Sequence, residues 1–213
     1  MKNIFAALFC CVLATGVSAQ KIIEKTFNYS DKKEVNLDLK IADSIKIHTW
    51  NKNEVAVKAS ISIADNKYND EYVVSFDESG SRIQVKANIE SKRSHWNEDS
   101  NCCKTDIYWD IYVPEKAPLE VETINGNIVI TGQTSQIKAK SISGFIDLLI
   151  PADLKADFEL STITGTVYSN VIPDQTTNFK KRSADISSKY RGGGTRVDLK
   201  TISGDIYLRD PLK

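Results

Sequence analysis

The residues of this chain that are best suited to chemistry lie in one polar stretch, Glu90 to Lys104. His95, Cys102 and Cys103 could supply three ligands to a zinc ion, because zinc prefers imidazole and thiolate groups. The stretch has no Cys-x-x-Cys pair and no fourth ligand at a usual spacing, so we predict a solvated loop rather than a metal site. No cofactor is predicted. With Trp96, these residues mark the stretch as a candidate interaction loop.

A second group of side chains is rich in oxygen and could suit calcium: Asp65, Asn66, Asn69, Asp70 and Glu71. The group lacks the alternating ligands and the central glycine of a calcium-binding loop. We therefore predict a solvated turn. The other histidine of the chain, His48, lies in a predicted strand and is expected to be exposed there.

A third group is basic and lies late in the chain: Lys180, Lys181, Arg182, Lys189 and Arg191. A cluster of this kind could contact anionic envelope polymers or lipid head groups, whereas the alternative is an ordinary solvated loop. Over the whole chain the charges balance, with 28 basic and 28 acidic side chains. This balance argues against nucleic acid as a partner.

The elements that must position these side chains are strands that turn at glycine. Four times the chain repeats the pattern Thr/Ser-Ile-Asn/Ser/Thr-Gly-x-Ile/Val, with corner glycines Gly126, Gly144, Gly165 and Gly204. Their separations of 18, 21 and 39 residues predict solenoid coils of about 20 residues. For the longest gap we prefer an insertion to a degraded coil, because residues 180–194 are polar and basic and hold no second Ile-Ser-Gly.

The alternation of apolar residues changes phase at each corner. Leu199 and Thr201 share one phase, and Ile206 and Leu208 share the other. Such a change needs a bend, and glycine allows unusual backbone angles there. Stacked coils would align the isoleucines of the motif, Ile124, Ile142, Ile163 and Ile202. They would also align four outward positions, Asn127, Phe145, Thr166 and Asp205. That row contains one carboxylate, so no paired-acid catalytic site is predicted. The alternative to stacked solenoid coils is a meander of β-hairpins, in which each Ser-Gly pair forms a turn.

The N-terminal half is almost entirely strand-like. The runs 44–49 and 55–61, joined by a short loop with two asparagines, are predicted to form a hairpin, and the runs 72–76 and 83–87 a second one. In a further strand, 107–113, the residues Ile107, Trp109 and Ile111 share one face, and Tyr108 and Tyr112 share the other. This half is expected to cap the first coil and cover its open edge.

The first 19 residues have the features of a secretory signal peptide. Lys2 precedes the apolar run from Ile4 to Thr15, and Val17-Ser18-Ala19 forms a small-residue cleavage site. The run is too short for a membrane span, and the mature chain has no other candidate. We expect export to the periplasm or the cell surface. The predicted fold is all-β: a β-rich region at 20–113 continues into a short right-handed β-solenoid at 114–213, in one continuous domain.

Only two cysteines, Cys102 and Cys103, would remain after cleavage. Adjacent cysteines seldom pair with each other, because the small ring strains the peptide bond between them. In an oxidising compartment a strained vicinal disulfide, a bridge to another chain and free thiols all stay open.

With these residues laid out, the chain resembles the bacterial DUF4097 family of adhesin-like proteins with β-strand repeats. The resemblance rests on residues 45–57, on Ile111-Tyr112-Val113-Pro114 and on residues 192–206. It implies an exported, β-solenoid-like envelope protein without established chemistry, and it brings no catalytic or binding residues. The expected function is a non-enzymatic structural or adhesive module for an unidentified protein or glycan partner. Sensing or scaffolding beside a membrane regulator is the alternative, and a carbohydrate-active β-helix enzyme is less favoured.

Overall fold

The computed structural model describes residues 20–30, 33–90, 104–179 and 184–211. The predicted all-β class is confirmed. In chain order the described strands are β1 (Lys21–Asn28), β2 (Glu34–Leu39), β3 (Ile41–Trp50), β4 (Glu54–Ile63), β5 (Tyr72–Ser79), β6 (Arg82–Ile89), β7 (Thr105–Pro114), β8 (Pro118–Thr131), β9 (Gln136–Ser143), β10 (Ile146–Leu149), β11 (Ala156–Thr162), β12 (Val167–Ser169), β13 (Gln175–Phe179), β14 (Ala184–Tyr190), β15 (Thr195–Ser203) and β16 (Ile206–Arg209). A short 3-10 turn, Asn69–Glu71, precedes β5.

The strands form one open sheet that divides into two limbs at the glycine corners. Strand β8 runs through its corner, so its first half pairs with β2 and its second half pairs with β3. We call limb A the strands β5-β6-β2-β8-β9-β15-β11-β14-β13, and limb B the strands β1-β4-β7-β3-β8-β10-β16-β12. Each of the four coils with a glycine corner therefore contributes one strand segment to each limb.

The change of phase at the corners places apolar side chains on the inner face of both limbs. In β8, Leu119 and Val121 are buried before the corner, and Ile128 and Ile130 are buried after it. Side chains alternate between the two faces of a strand, so an uninterrupted strand could not bury both pairs on one side. The two limbs share one apolar core. Each such side chain stabilises the fold by about 1.5–3 kcal/mol relative to exposure.

The coils stack in parallel, but not in chain order. Strand β15 pairs with β9 on one side and with β11 on the other, so the fourth copy lies between the second and the third. The long gap between the third and fourth copies holds a hairpin of β13 and β14, which lies antiparallel along the other side of β11. The structure thus agrees with an insertion rather than a degraded coil.

The stack of coils begins earlier than the glycine motif does. Strands β2 and β3 form a further two-limbed coil, in which Val35 lies beside Leu119 and Ile45 lies beside Ile128. Ala42 stands at the corner of this coil, against Gly126 of the next one. The coil has no corner glycine, so the sequence pattern did not reveal it.

One of the two predicted hairpins is wrong. Strands β5 and β6 pair directly, as predicted. Strands β3 and β4 do not pair, because β7 lies between them and bonds to both. In β7 the side chains of Ile107, Trp109 and Ile111 are buried, and inserting this strand between β3 and β4 extends the core. A short loop therefore joins two strands of limb B that are not neighbours.

Candidate interaction surfaces

Two predicted sites fall wholly or partly outside the described residues. The residues concerned are His95, Trp96, Cys102, Cys103, Lys180, Lys181 and Arg182. Of the basic group, Lys189 is exposed on β14. The guanidinium of Arg191 lies 5.1 Å from the ring of Tyr190, and it donates a hydrogen bond to the carbonyl of Ala152. Arg191 thus holds the turn after β14, and anion binding by this group stays a prediction.

The oxygen-rich segment is a turn, as predicted, but its central side chain is buried. Asn69 accepts a hydrogen bond from the amide of Ile63 at 2.8 Å and donates one to Asn66 Oδ1 at 3.1 Å. Ala64, Asp65 and Asn66 have positive φ angles, which produce the tight reversal. In the part of the chain that the structure describes, no three His, Cys, Asp or Glu side chains gather to hold a metal ion.

The corner glycines stack directly on one another. A Cβ atom on Gly126, Gly144, Gly204 or Gly165 would lie less than 3.0 Å from the carbonyl oxygen of Ala42, Gly126, Gly144 or Gly204, respectively. Gly144 has a φ of +134°, whereas Gly126 and Gly165 have no positive φ. What the four share is therefore the close approach of the neighbouring backbone, which only a residue without a side chain permits. The predicted need for unusual backbone angles thus does not explain Gly126 and Gly165.

Just inside the corner lies a row of buried hydroxyl groups. It consists of Thr123, Ser141, Thr201 and Thr162. Ser141 donates to the carbonyl of Gly126 at 3.1 Å, and Thr162 donates to that of Gly204 at 2.9 Å. These bonds satisfy corner carbonyls next to the bend, where an unpaired buried acceptor would be costly. The Thr/Ser position of the motif thus has a structural role.

The predicted isoleucine ladder is confirmed, and it lies on the outside of the corner. Ile124, Ile142, Ile202 and Ile163 follow one another across four parallel strands and are 45–59% exposed. Contacts between β-branched side chains on neighbouring strands stabilise a sheet. Each isoleucine covers part of the next, so the ladder is a continuous apolar stripe along the outer edge of the stack.

The predicted row of outward corner positions is also present, and its polar members bond to backbone. Asn127 Oδ1 accepts a hydrogen bond from the amide of Phe145 at 3.2 Å. Asp205 Oδ1 accepts one from the amide of Thr166 at 2.8 Å. Both side chains tie one coil to the next, which gives this carboxylate a structural role.

Two groups of aromatic rings lie on the outer face of limb B. Tyr207 stacks on Tyr168 with ring centres 5.2 Å apart, and it meets Phe145 edge to face at 5.9 Å. Farther along the face, Tyr112 lies 5.1 Å from His48 and 5.0 Å from Trp50. Aromatic contacts of this kind hold the rings in fixed positions.

His48 is thus less exposed than predicted. Its ring stacks on Tyr112, and its Nε2 atom lies 3.5 Å from Asp110 Oδ1. Sequence alternation placed His48 in a strand, but the partner on the neighbouring strand could be identified only from the pairing of β3 with β7.

The outer face of limb A carries a ladder of ion pairs. Lys138 pairs with Glu120, Lys140 with Glu122 at 2.7 Å, Lys200 with Asp198 at 2.8 Å, and Arg196 with Glu159 at 3.2 Å. The hydrogen bond that Lys138 donates to Glu120 raises the pKa of Lys138. Three of these pairs join neighbouring strands, and the Lys200–Asp198 pair lies within β15. The opposite charges of the ladder offset one another, so it has little net charge to steer a ligand.

One ion pair of this ladder predicts a pH dependence of stability. The hydrogen bond from Lys140 lowers the pKa of Glu122 below its ordinary value of 4.5. The pair therefore stabilises the fold above that pH, and its contribution is lost as the pH falls through the lowered pKa.

Replacing Lys140 by Met should destabilise the protein by about 0.5 kcal/mol at pH 7, since such pairs are partly exposed. In urea unfolding, the difference from wild type should shrink between about pH 5 and pH 3. A difference that is constant with pH, or equal for the exposed Lys46→Met control, would contradict the prediction.

Together these features define a class of all-β protein: an open, two-limbed stack of parallel coils with glycine corners. Residues 116–209 match the family model Toastrack DUF4097, and the predicted family resemblance is confirmed over that part of the chain. Of the three stretches on which the resemblance rests, residues 192–206 lie within this match, whereas residues 45–57 and 111–114 lie outside it. No curated protein matches the chain. Among the described residues, no helix is long and apolar enough to cross a membrane.

Several solved structures match the chain. A protein of Clostridium sporogenes named a "putative cell adhesion protein" is 12% identical and has a TM-score of 0.57, over 90% of this chain and 100% of its own. A "putative adhesin" of Bacteroides fragilis is 8% identical with a TM-score of 0.32, over 91% and 98%. A "putative lipid binding protein" of Parabacteroides distasonis is 14% identical with a TM-score of 0.30, over 70% and 53%. Of these three, the Clostridium sporogenes protein shares the fold of this chain.

Proposed function

We propose that this protein is an exported, non-enzymatic binding module of the cell envelope, and that the outer face of limb B contacts its partner. The observation that carries the proposal is the set of tyrosines on this face: Tyr108, Tyr112 and Tyr168 are 47%, 36% and 50% exposed. Tyrosine combines a large apolar ring with a polar tip, and it is enriched in protein interfaces. A broad sheet holds these rings in place, which reduces the entropy lost on binding.

Two further observations support the proposal. The first 19 residues have the pattern of a secretory signal peptide, which supports export. The Clostridium sporogenes protein that shares the fold carries a cell-adhesion name. The partner chemistry that suits the tyrosines is a protein or glycan surface with both apolar and hydrogen-bonding groups.

The test is binding of the purified protein to glycan arrays and to fixed bacterial and host cells. Exchanging Tyr108 and Tyr168 together for Ser should weaken binding at least about tenfold, because aromatic anchors carry much of the energy of an interface. The matched control is Val73→Thr, at a side chain that is 41% exposed on limb A. Unchanged thermal unfolding of both variants would show that the fold is kept. Lack of binding to any surface, wild-type binding by the tyrosine variant, or turnover of a polysaccharide would each overturn the proposal.

A further inference from the structure

At the far end of the stack, limb A extends beyond limb B. Limb A continues past β11 into β14 and β13, whereas limb B ends at β12, Val167–Ser169. In the described residues, β12 is bonded as a strand only to β16. Strand β14 therefore has no limb B strand opposite it. An edge of this kind presents backbone amide and carbonyl groups that can pair with another strand.

The space opposite β14 is an apolar pocket of about 280 Å³. Its floor is the end of the core, formed by Phe158, Leu160 and Leu208. Val167 of β12 forms one wall, and Ile186 of β14 faces it from limb A. The remaining lining residues are uncharged as well. The pocket therefore suits an apolar side chain and would disfavour a charged one.

The segment after β12 closes part of this end of the stack and leaves its rim apolar. Asn170 bonds twice to the backbone of Asp210, donating at 2.9 Å and accepting at 2.7 Å. These bonds fix the segment, and Val171 is buried beside the pocket. Ile172 remains 72% exposed. The end of the stack thus combines a pocket, an apolar rim and a strand edge.

We propose that this end binds an extended peptide segment of a partner protein, which adds to β12 as a further strand of limb B and places one apolar side chain in the pocket. Val167 and Ser169 both line the pocket, so alternate residues of an added strand would face it too. The edge requires hydrogen-bonding groups, which a peptide has and a hydrocarbon chain lacks. The added strand would continue the sheet directly, opposite Ile186.

A second copy of this chain fits the edge less well. The edge of limb B at the other end of the stack is β1, which carries Lys21, Glu24 and Lys25. Charges on an edge strand oppose pairing between copies. The peptide site uses the free edge of β12 and the side chains of Val167 and Ser169, whereas the proposed function uses Tyr168 on the outer face of the same strand. The two proposals therefore rest on different side chains.

The test uses short synthetic peptides of alternating Thr and one apolar residue (Val, Ile, Leu or Phe), titrated against the fluorescein-labelled full-length protein. We expect binding in the micromolar range, as a three-residue edge offers few hydrogen bonds. N-methylation of alternate peptide amides should weaken binding at least about tenfold, because it removes donors and keeps side chains. Ile186→Asn should weaken binding by a similar factor, whereas Ile22→Asn, at an exposed position on β1, should leave it unchanged.

Four results would overturn the proposal. The first is that no peptide binds at concentrations up to about 1 mM, since a weaker affinity would not support specific recognition. The N-methylated peptides bind as well as the parents, so the edge plays no part. Dodecanoate binds alone and displaces the peptide, which would make the pocket an acyl-chain site. The protein self-associates in sedimentation and Ile186→Asn abolishes that association, which would make a second copy the occupant. Circular dichroism of both asparagine variants controls for loss of the fold.

Discussion

Replacing Gly144 by Ala is expected to lower the free energy of unfolding by about 3 kcal/mol, because the new methyl group overpacks a closed corner. Its Cβ atom would lie against the carbonyl of Gly126, far inside contact distance. The coil has little room to shift away, because Gly204 of the next coil stacks on the carbonyl of Gly144 on the other side, where a Cβ atom would not fit either. The φ of +134° adds strain for any residue with a side chain. Urea unfolding followed by circular dichroism measures the change.

The control for this prediction separates backbone strain from close approach. Gly80 has a φ of +44°, and a Cβ atom placed there would meet no atom within 4 Å. Gly80→Ala should therefore cost only about 1 kcal/mol, the cost of a left-handed residue. Equal losses for the two variants would mean that backbone angle, and not the carbonyl of the neighbouring coil, explains the glycine at the corner.

Replacing Trp109 by Ala is expected to lower the free energy of unfolding by about 4 kcal/mol, because it removes a large buried ring. Trp109 is 1% exposed, and its Nε1 donates to the hydroxyl of Tyr72 at 3.2 Å. That hydroxyl donates in turn to the carbonyl of Ile41 at 2.8 Å. Burial raises the pKa of Tyr72 far above its ordinary value, so the phenol keeps its proton and remains a donor. The ring and the two hydrogen bonds together join β7, β5 and β3.

The neighbouring residue on the same strand is the matched control. Tyr108 points outward and is 47% exposed. Tyr108→Ala should lower the free energy of unfolding by less than about 1 kcal/mol, which is the usual range for substitutions at exposed strand positions. Trp109→Phe should fall between the two, because it keeps a ring but removes the donor to Tyr72. If Trp109→Ala unfolds at the same urea concentration as Tyr108→Ala, the core does not depend on this ring.

The corner glycines show what a sequence pattern can and cannot predict. The spacing of Gly126, Gly144 and Gly165 predicted stacked coils, and the phase change predicted which side chains point inward. Both follow from the alternation of side chains along a strand, which is a local property. The reason for glycine could not be found locally, since the carbonyl that excludes a Cβ atom belongs to a different coil.

The candidate surfaces were predicted only in part. Alternation along β7 placed Tyr108 and Tyr112 opposite Trp109, and the structure places both tyrosines on the outer face of limb B. The pocket beside β12 gave no sequence signal, because its lining comes from β11, β12, β14, β16 and the segment after β12. These four strands are separated in the sequence, and only the order in which the strands pair brings them to the same end of the stack. The loop with Cys102 and Cys103 lies outside the described residues and stays a prediction.

The sequence by itself determined the all-β class, the coil repeat and the inward or outward position of most strand residues. These depend on alternation and on glycine, which act within a few residues. Only the tertiary structure decided that β7 separates β3 from β4, that the fourth copy lies between the second and third, and that the isoleucine ladder is exposed. The physical reason is that strands with the same alternation can pair with many partners. Packing of the whole core, rather than any local pattern, selects among them.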